Sequence, residues 1–270
     1  MAEEGRAARP RKPRAPNASP AARRGQRSRP AVRNSDLLYN ELRRDIVSMH
    51  RPPGAPIQEK ELALGHGVSR TPVREAVLRL VEERLIEVVP ESGTFVARIP
   101  LSSLPEALVA RSALEGVTVR AAAANAGPAA IAELQALVEL QQRCADTGDE
   151  AAFHEADEAF HAAIATAGGY PGIWRFIQQM KAQVDRYRRL TLPQPGRMLL
   201  IVAEHAAVLA AIAAGEPEAA AHRMADHLEK LQIDIAVFRD LWPDYFIHDL
   251  PHEEVALHRR PPRRQFIRGA

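Results

Sequence analysis

The chain of 270 residues is long enough for two modest domains, each able to bury its own core. Its 36 Lys+Arg and 34 Asp+Glu give a net charge of +2 that hides an uneven distribution: residues 1–34 hold ten basic residues against two acids and residues 250–270 five against two, leaving 21 basic and 30 acidic in 35–249. The single cysteine, Cys144, excludes an intrachain disulfide framework and fits a reducing, cytoplasmic compartment, and the basic N-terminus lacks the apolar core of a secretory signal.

Residues 1–34 are rich in Pro, Arg and Ala and show no hydrophobic period, so they read as a disordered basic arm; residues 250–270 form a matching basic tail. Such segments are either solvated low-complexity sequence or arms that touch nucleic acid. From Ser35 the pattern changes. Leu38, Leu42, Ile46 and Met49 recur at helical spacing, and "RPPGAP" stops that helix. A short helix is predicted from Glu59, followed by "GVSRTPVREAVLRLVEERLI", where Val73, Val77, Leu80 and Val81 form one apolar stripe. Ser69 or Thr71 can cap this helix, and Pro72 is tolerated only in its first turn. "IEVV" and "TFVARI" then read as two strands around "PESG".

Over 35–99 the order is helix, helix, helix and hairpin; the second and third helices are joined by a tight Gly-containing turn, and the third suits the major groove of DNA. Arg70, Thr71 and Arg74 lie near the start of that helix. There an arginine can bind guanine through two hydrogen bonds, and hydroxyls and the helix end can hold phosphate. Gly93, at the wing tip, lets backbone approach the groove closely. A small α/β fragment with solvated arginines is the alternative reading of this pattern.

Beyond Pro100 the character is helical, rich in Ala and Leu, with breaks at Gly127-Pro128, Gly148, "GGYPG", "LPQPG" and "GEP". They delimit about six helices, an all-α bundle over 104–240, so the fold class is mainly α. The most apolar stretch, from Met198, is short for a membrane span and carries Glu204 and His205, so it reads as a buried helix. In "DEAFH" the side chains of Asp157 and His161 share one helix face. His205 and His227 stand ten and twelve residues from Gly215, about 15 and 18 Å from the turn at about 1.5 Å per residue, and are therefore level in a helical hairpin. Should both face inward, one carboxylate and three imidazoles meet, a set that suits Zn²⁺, Ni²⁺, Mn²⁺ or Fe²⁺. Solvated histidines on amphipathic helices are the other reading. His154 is expected beside this site or in solvent, and His222, about 140° round the helix from His227, should point elsewhere.

The stretch from Leu42 to Val96 resembles the winged helix-turn-helix of GntR-type transcriptional regulators, and "VSRTPVREA" is its most specific element. The resemblance implies DNA contacts at Lys60, Ser69, Arg70, Thr71 and Arg74, with Gly93 in the wing; Lys60 stands where many members have Arg. His66, preceded by Gly65, departs from the usual Leu and reads as a packing compromise. Residues from about 104 to 240 resemble the FCD-type effector domain of the FadR subfamily, through "RSALEGVTVRAAAANA", "DEAFHAAI" and "EHAAVLAAIAAGEPEAAAHRMADHL". That match implies Asp157, His161, His205 and His227 as ligands of a divalent metal ion, Zn²⁺ foremost, and a small organic acid effector whose carboxylate reaches it. Arg111 then either enters the cavity to pair with that carboxylate or forms an i,i+4 surface pair with Glu115. Arg186, Arg188 and Arg189 read as a solvated face, with pocket lining as the other reading. Tyr170 replaces the usual Asn that caps a helix.

The resemblance thus implies a ligand-responsive regulator, repressing by default, that binds a pseudo-palindromic operator on double-stranded DNA as a homodimer and has no membrane partner. Two other classes are weighed against it: a metal-dependent enzyme with an appended helix-turn-helix, and a ligand-independent DNA-binding protein. Glu158 and Glu204 adjoin ligands in sequence, but helix neighbours diverge by about 100°, so neither is a convincing general base and an enzyme is not expected.

Overall fold

The computed structural model describes residues 29–233 and 239–249, so most of both basic termini lies outside the described residues. Helices α1 (Arg29–Val47), α2 (Glu59–Gly65) and α3 (Arg70–Glu82) precede an antiparallel hairpin of β1 (Ile86–Val89) and β2 (Gly93–Val96). Leu38, Leu42 and Ile46 of α1 bury against Val73, Ala76, Val77 and Leu80 of α3, with Leu85, Ile86 and Val96 closing the core. Each Val, Leu or Ile among them contributes about 1.5–3 kcal/mol on leaving water, which is what lets so small a unit hold its shape. The Arg79 guanidinium stacks 3.7 Å over the Tyr39 ring and pairs with Asp36 at 2.7 Å. Arg43 bonds Glu83 at 2.8 Å, which ties α1 to α3 a second time.

Two sequence boundaries move. α1 starts at Arg29, ahead of its apolar period, because Pro30 falls in the first turn, where its missing N–H costs nothing. It ends at Val47, and Met49 takes a left-handed φ of 63° outside it. The expected strand "TFVARI" is also broken. Ala97 donates its N–H to the Leu85 carbonyl at 3.0 Å and turns the chain out of the hairpin. Ile99–Pro100 become β3, paired in parallel with β4 (Phe246–Ile247) near the other end of the chain.

The second unit is a bundle of α4 (Ser103–Asn125), α5 (Pro128–Thr147), α6 (Glu150–Ala167), α7 (Pro171–Met180), α8 (Ala182–Thr191), α9 (Arg197–Ala213) and α10 (Pro217–Ile233). One helix expected between the Gly/Pro breaks is two among the described residues, because α7 and α8 part at Lys181 with neither Gly nor Pro to mark the break. Gly148 (φ 70°) and Gly215 (φ 68°) take the left-handed conformation at the breaks they mark, the helix-closing geometry that favours glycine. Leu104, Leu108, Val119, Leu134, Phe153, Phe160, Val208 and Met224 are among the side chains of the bundle core, and Cys144 is buried with them. A Cβ on Gly168 would lie 2.6 Å from the Thr118 carbonyl oxygen, so the end of α6 passes α4 at backbone distance. Among the described residues, no helix is long and apolar enough to cross a membrane.

Helix α8 belongs to both units. Ala182 packs in the core of the N-terminal unit. Gln183 donates to the Arg84 carbonyl at 3.1 Å, and Arg186 donates to the Ala97 carbonyl at 2.6 Å and to Gln183 Oε1 at 2.9 Å. The same helix then turns its other residues into the bundle.

Candidate metal centre and DNA-contacting face

Asp157 and His161 on α6, His205 on α9 and His227 on α10 come together in the bundle interior, each at most 3% exposed. The α9–α10 hairpin around Gly215 sets the two histidines level, with their Nε2 atoms 3.2 Å apart. Asp157 Oδ1 lies 3.8 Å from His205 Nε2 and Oδ2 lies 3.9 Å from His161 Nε2. One donor atom from each of His161, His205 and His227 fits within a span of 4.8 Å.

The far side of each ring is held by an acceptor. His161 Nδ1 bonds the Glu115 carboxylate. His205 Nδ1 meets Gln141 Oε1 at 2.7 Å, and His227 Nδ1 meets Glu204 Oε2 at 2.7 Å. Gln141 donates its Nε2 to the Ala156 carbonyl at 3.2 Å, which leaves only its oxygen for His205. Each acceptor favours hydrogen on Nδ1 and turns the Nε2 of its ring inward. Burial, with His227 beside it, holds His205 well below its ordinary pKa, and burial likewise lowers His227. Two neutral acceptors facing each other at 3.2 Å repel, and His161 Nε2 is buried with no hydrogen-bond partner. A cation at the centre resolves both, and oriented neutral imidazoles beside a carboxylate are the donor set of a Zn²⁺-type site. The residues fit a divalent metal ion.

The surroundings correct the reading of the Arg-rich run. Arg186 and Arg188 are buried, 0% and 1% exposed, and do not form a solvated face; Arg189 is half-buried. Arg188 reaches Asp157 with both guanidinium nitrogens, each at 2.6 Å. Burial alone would raise the Asp157 carboxyl, yet Arg188 holds it well below the usual carboxylate range. The Arg111–Glu115 pair is buried as well, not on the surface, because α4 runs through the bundle with that face inward. Burial pushes Glu115 upward, but Arg111 and His161 outweigh it and hold it at about 2. Arg111 spends only its Nε on Glu115, while Nη1 and Nη2 are buried without partners.

His154 is neither in solvent nor turned to the three histidines. It lies with Glu158 and Asp185 in a second buried group, where Lys181 sits 2.6 Å from each carboxylate. The ammonium already supplies a cation to both carboxylates, the buried Asp185 and the part-buried Glu158. Burial, helped by Arg188, depresses His154 to about 3. His222 is exposed and pairs with Asp226 at 3.4 Å, away from the centre as expected. Glu115, Gln141, Glu204 and Arg188 were the site residues missed from sequence.

On the N-terminal unit, Lys60, Ser69, Arg70, Thr71, Arg74 and Gly93 are all exposed. Ser69 is the residue preceding α3, but its side chain makes no capping bond, so the hydroxyl stays available. Gly93 adopts a φ of 132°, which a residue with a Cβ rarely tolerates. His66 ends α2 on the surface, 3.8 Å from Glu41. Tyr170 precedes α7 without a side-chain cap, in keeping with the absent Asn.

Comparison with known proteins places both units. Residues 34–96 match the description "Bacterial regulatory proteins, gntR family", and residues 106–230 match "FCD domain". The chain is 34% identical over 212 residues to an uncharacterized HTH-type transcriptional regulator in an unstable DNA locus of Streptomyces ambofaciens, covering 78% of this chain and 89% of that protein. It is 28% identical to the HTH-type transcriptional repressor RspR of Escherichia coli K12, covering 77% of this chain and 92% of RspR. The solved structure of E. coli McbR/YncC superposes with a TM-score of 0.64 at 27% identity, over 77% of this chain and 98% of that one. These relatives are transcriptional regulators, not enzymes, and share both halves of the architecture. The chain belongs to the GntR family of bacterial transcriptional regulators and carries an FCD domain behind its helix-turn-helix.

Proposed function

We propose that this regulator, a FadR-subfamily member, senses a small organic acid at a divalent metal ion held by Asp157, His161, His205 and His227. The observation that carries the reading is the convergence of three inward Nε2 atoms, each oriented by an acceptor on its Nδ1. Zn²⁺ suits this donor set foremost, with Ni²⁺, Mn²⁺ and Fe²⁺ as alternatives. When bound, the ion would supply a Lewis-acid anchor for a carboxylate. Arg111, with two buried N–H groups lacking partners, would take the effector's other oxygen or a second carboxylate.

Residues 35–99 then act as the DNA-binding domain and 104–240 as the effector domain. Arg70, Thr71 and Arg74 would read the major groove, Lys60 and Ser69 would hold phosphate, and Gly93 would bring the wing to the backbone. A cytoplasmic homodimer would set two such units on a pseudo-palindromic operator. RspR is named a repressor, and repression relieved by ligand is the mode proposed here. Helix α8 offers a route between the sites: Arg188 holds Asp157, and two residues earlier Arg186 holds the Ala97 carbonyl below the wing. Any ligand that shifts operator affinity must have its own affinity shifted reciprocally.

The test is a mobility-shift titration of the DNA upstream of the protein's own gene against random DNA at matched salt. Preferential binding, weakened by one of a panel of small organic acids in metal-loaded protein, is expected. No preference over random DNA would sink the regulator function for this chain.

A further inference from the structure

Between the two family matches, which end at residue 96 and resume at residue 106, lies a hinge that neither includes. The segment 239–249, beyond the end of the second match, returns to that hinge and fastens it. β4 adds to β3 in parallel, with Phe246 opposite Ile99 and Ile247 opposite Pro100. Leu101 donates its N–H to the Ile247 carbonyl at 3.2 Å. Asp249 accepts from the Ser102 N–H at 2.9 Å and from the Ser102 hydroxyl at 2.6 Å. Its charge therefore sits at the start of α4, the helix that carries Arg111 and Glu115, where a helix favours an anion. Phe246, 1% exposed, plugs the segment into the bundle core, with Trp242 and Tyr245 packed against the same cluster. On the other side of the hinge, Arg186 grips Ala97.

We infer that residues 242–249 are a clasp: they pin the hinge at Ile99–Ser102 and so hold the DNA-binding unit in its operator-competent placement on the bundle. An interdomain connection of a few residues with no partner would let the two units move independently. Here its backbone is paired, its following helix is capped, and both restraints come from a segment with no role at the metal centre. The inference rests on the DNA-binding reading above for its consequence, but the clasp itself can be tested without DNA.

Asp249→Ala and Ser102→Ala each remove the exposed end of the clasp and leave the Phe246 anchor in place, so the fold is retained. In the full-length protein, both variants should speed hydrogen exchange at the Leu101 and Ser102 amides. Both should weaken binding to the upstream DNA by about two- to tenfold, with no loss in the double variant beyond that of Asp249→Ala, which alone removes both bonds. Bound metal should be unchanged. Unaltered exchange at the hinge would overturn the clasp, and faster exchange with unaltered DNA affinity would overturn its role. Wild-type protein without preference for that DNA would show instead that the regulator reading has failed, taking the clasp's role in DNA binding with it.

Discussion

Arg188 holds both oxygens of Asp157 in the bundle interior, each at 2.6 Å, so helix α8 is bonded to the one carboxylate of the candidate metal centre. Both side chains are at most 1% exposed. Such a pair is costly to break from one side, because the survivor is a buried charge without a counter-ion.

Arg188→Met should therefore destabilise the chelator-treated protein by about 3–5 kcal/mol. Divalent metal should then restore more stability to the variant than to wild type, since a cation at the centre replaces the lost guanidinium as partner of Asp157. Thermal unfolding with and without added Zn²⁺ reads both quantities. Equal stabilisation of the two proteins by Zn²⁺ would show that Asp157 does not serve the metal.

Gln141 touches no ligand atom on the inner side of the site; its Oε1 orients His205 while its Nε2 bonds the Ala156 carbonyl. Gln141→Leu keeps the bulk but removes the acceptor, and should weaken metal affinity about 10- to 100-fold while leaving the fold intact. Competition with a chromophoric chelator measures this directly. Affinity within a factor of about two of wild type would mean that the ring needs no such support.

The grouping of Asp157, His161, His205 and His227 was legible in sequence because helical geometry is regular. Asp157 and His161 are one turn apart, and the Gly215–Pro217 break forces His205 and His227 level. The residues that orient these side chains were not legible in the same way. Glu115, Gln141 and Arg188 arrive from three other helices, and no local spacing encodes which helices pack together. Arg188 sits in an Arg-rich run that reads as surface until α8 is known to be buried. Glu204 was set aside because it diverges from its neighbour His205, yet that divergence is what aims it at His227 on the next helix. The break at Lys181 had no Gly or Pro signal, and the pairing of β3 with β4 joins residues far apart in sequence.

His154 should make the protein acid-sensitive. Its pKa is about 3 in the folded chain against an ordinary 6.5, so protons favour the unfolded state. The stability it contributes is complete above pH 6.5 and is lost as pH falls toward 3, at up to about 1.4 kcal/mol per pH unit. His154→Leu should flatten that part of the profile. Urea unfolding of chelator-treated protein at pH 7 and pH 5 gives the comparison. Identical losses in wild type and variant would assign the acid sensitivity to other groups.

On the DNA-contacting face, Lys60 and Arg74 should separate by salt. Lys60→Ala should weaken binding to all sequences alike and reduce the salt slope by about one, the effect of one lost phosphate contact. Arg74→Ala should cost about 1–3 kcal/mol on the operator and much less on random DNA. Fluorescence anisotropy at several salt concentrations distinguishes the two. Uniform loss in both variants would remove Arg74 from base reading.

His161, His205 and His227, with Asp157, are proposed to form one metal centre. Metal analysis of purified wild-type protein beside His205→Ala and His227→Ala tests it most directly. About one ion per chain in the wild type, and loss of it in both variants, is the predicted result. Retention of the ion in both variants would contradict it.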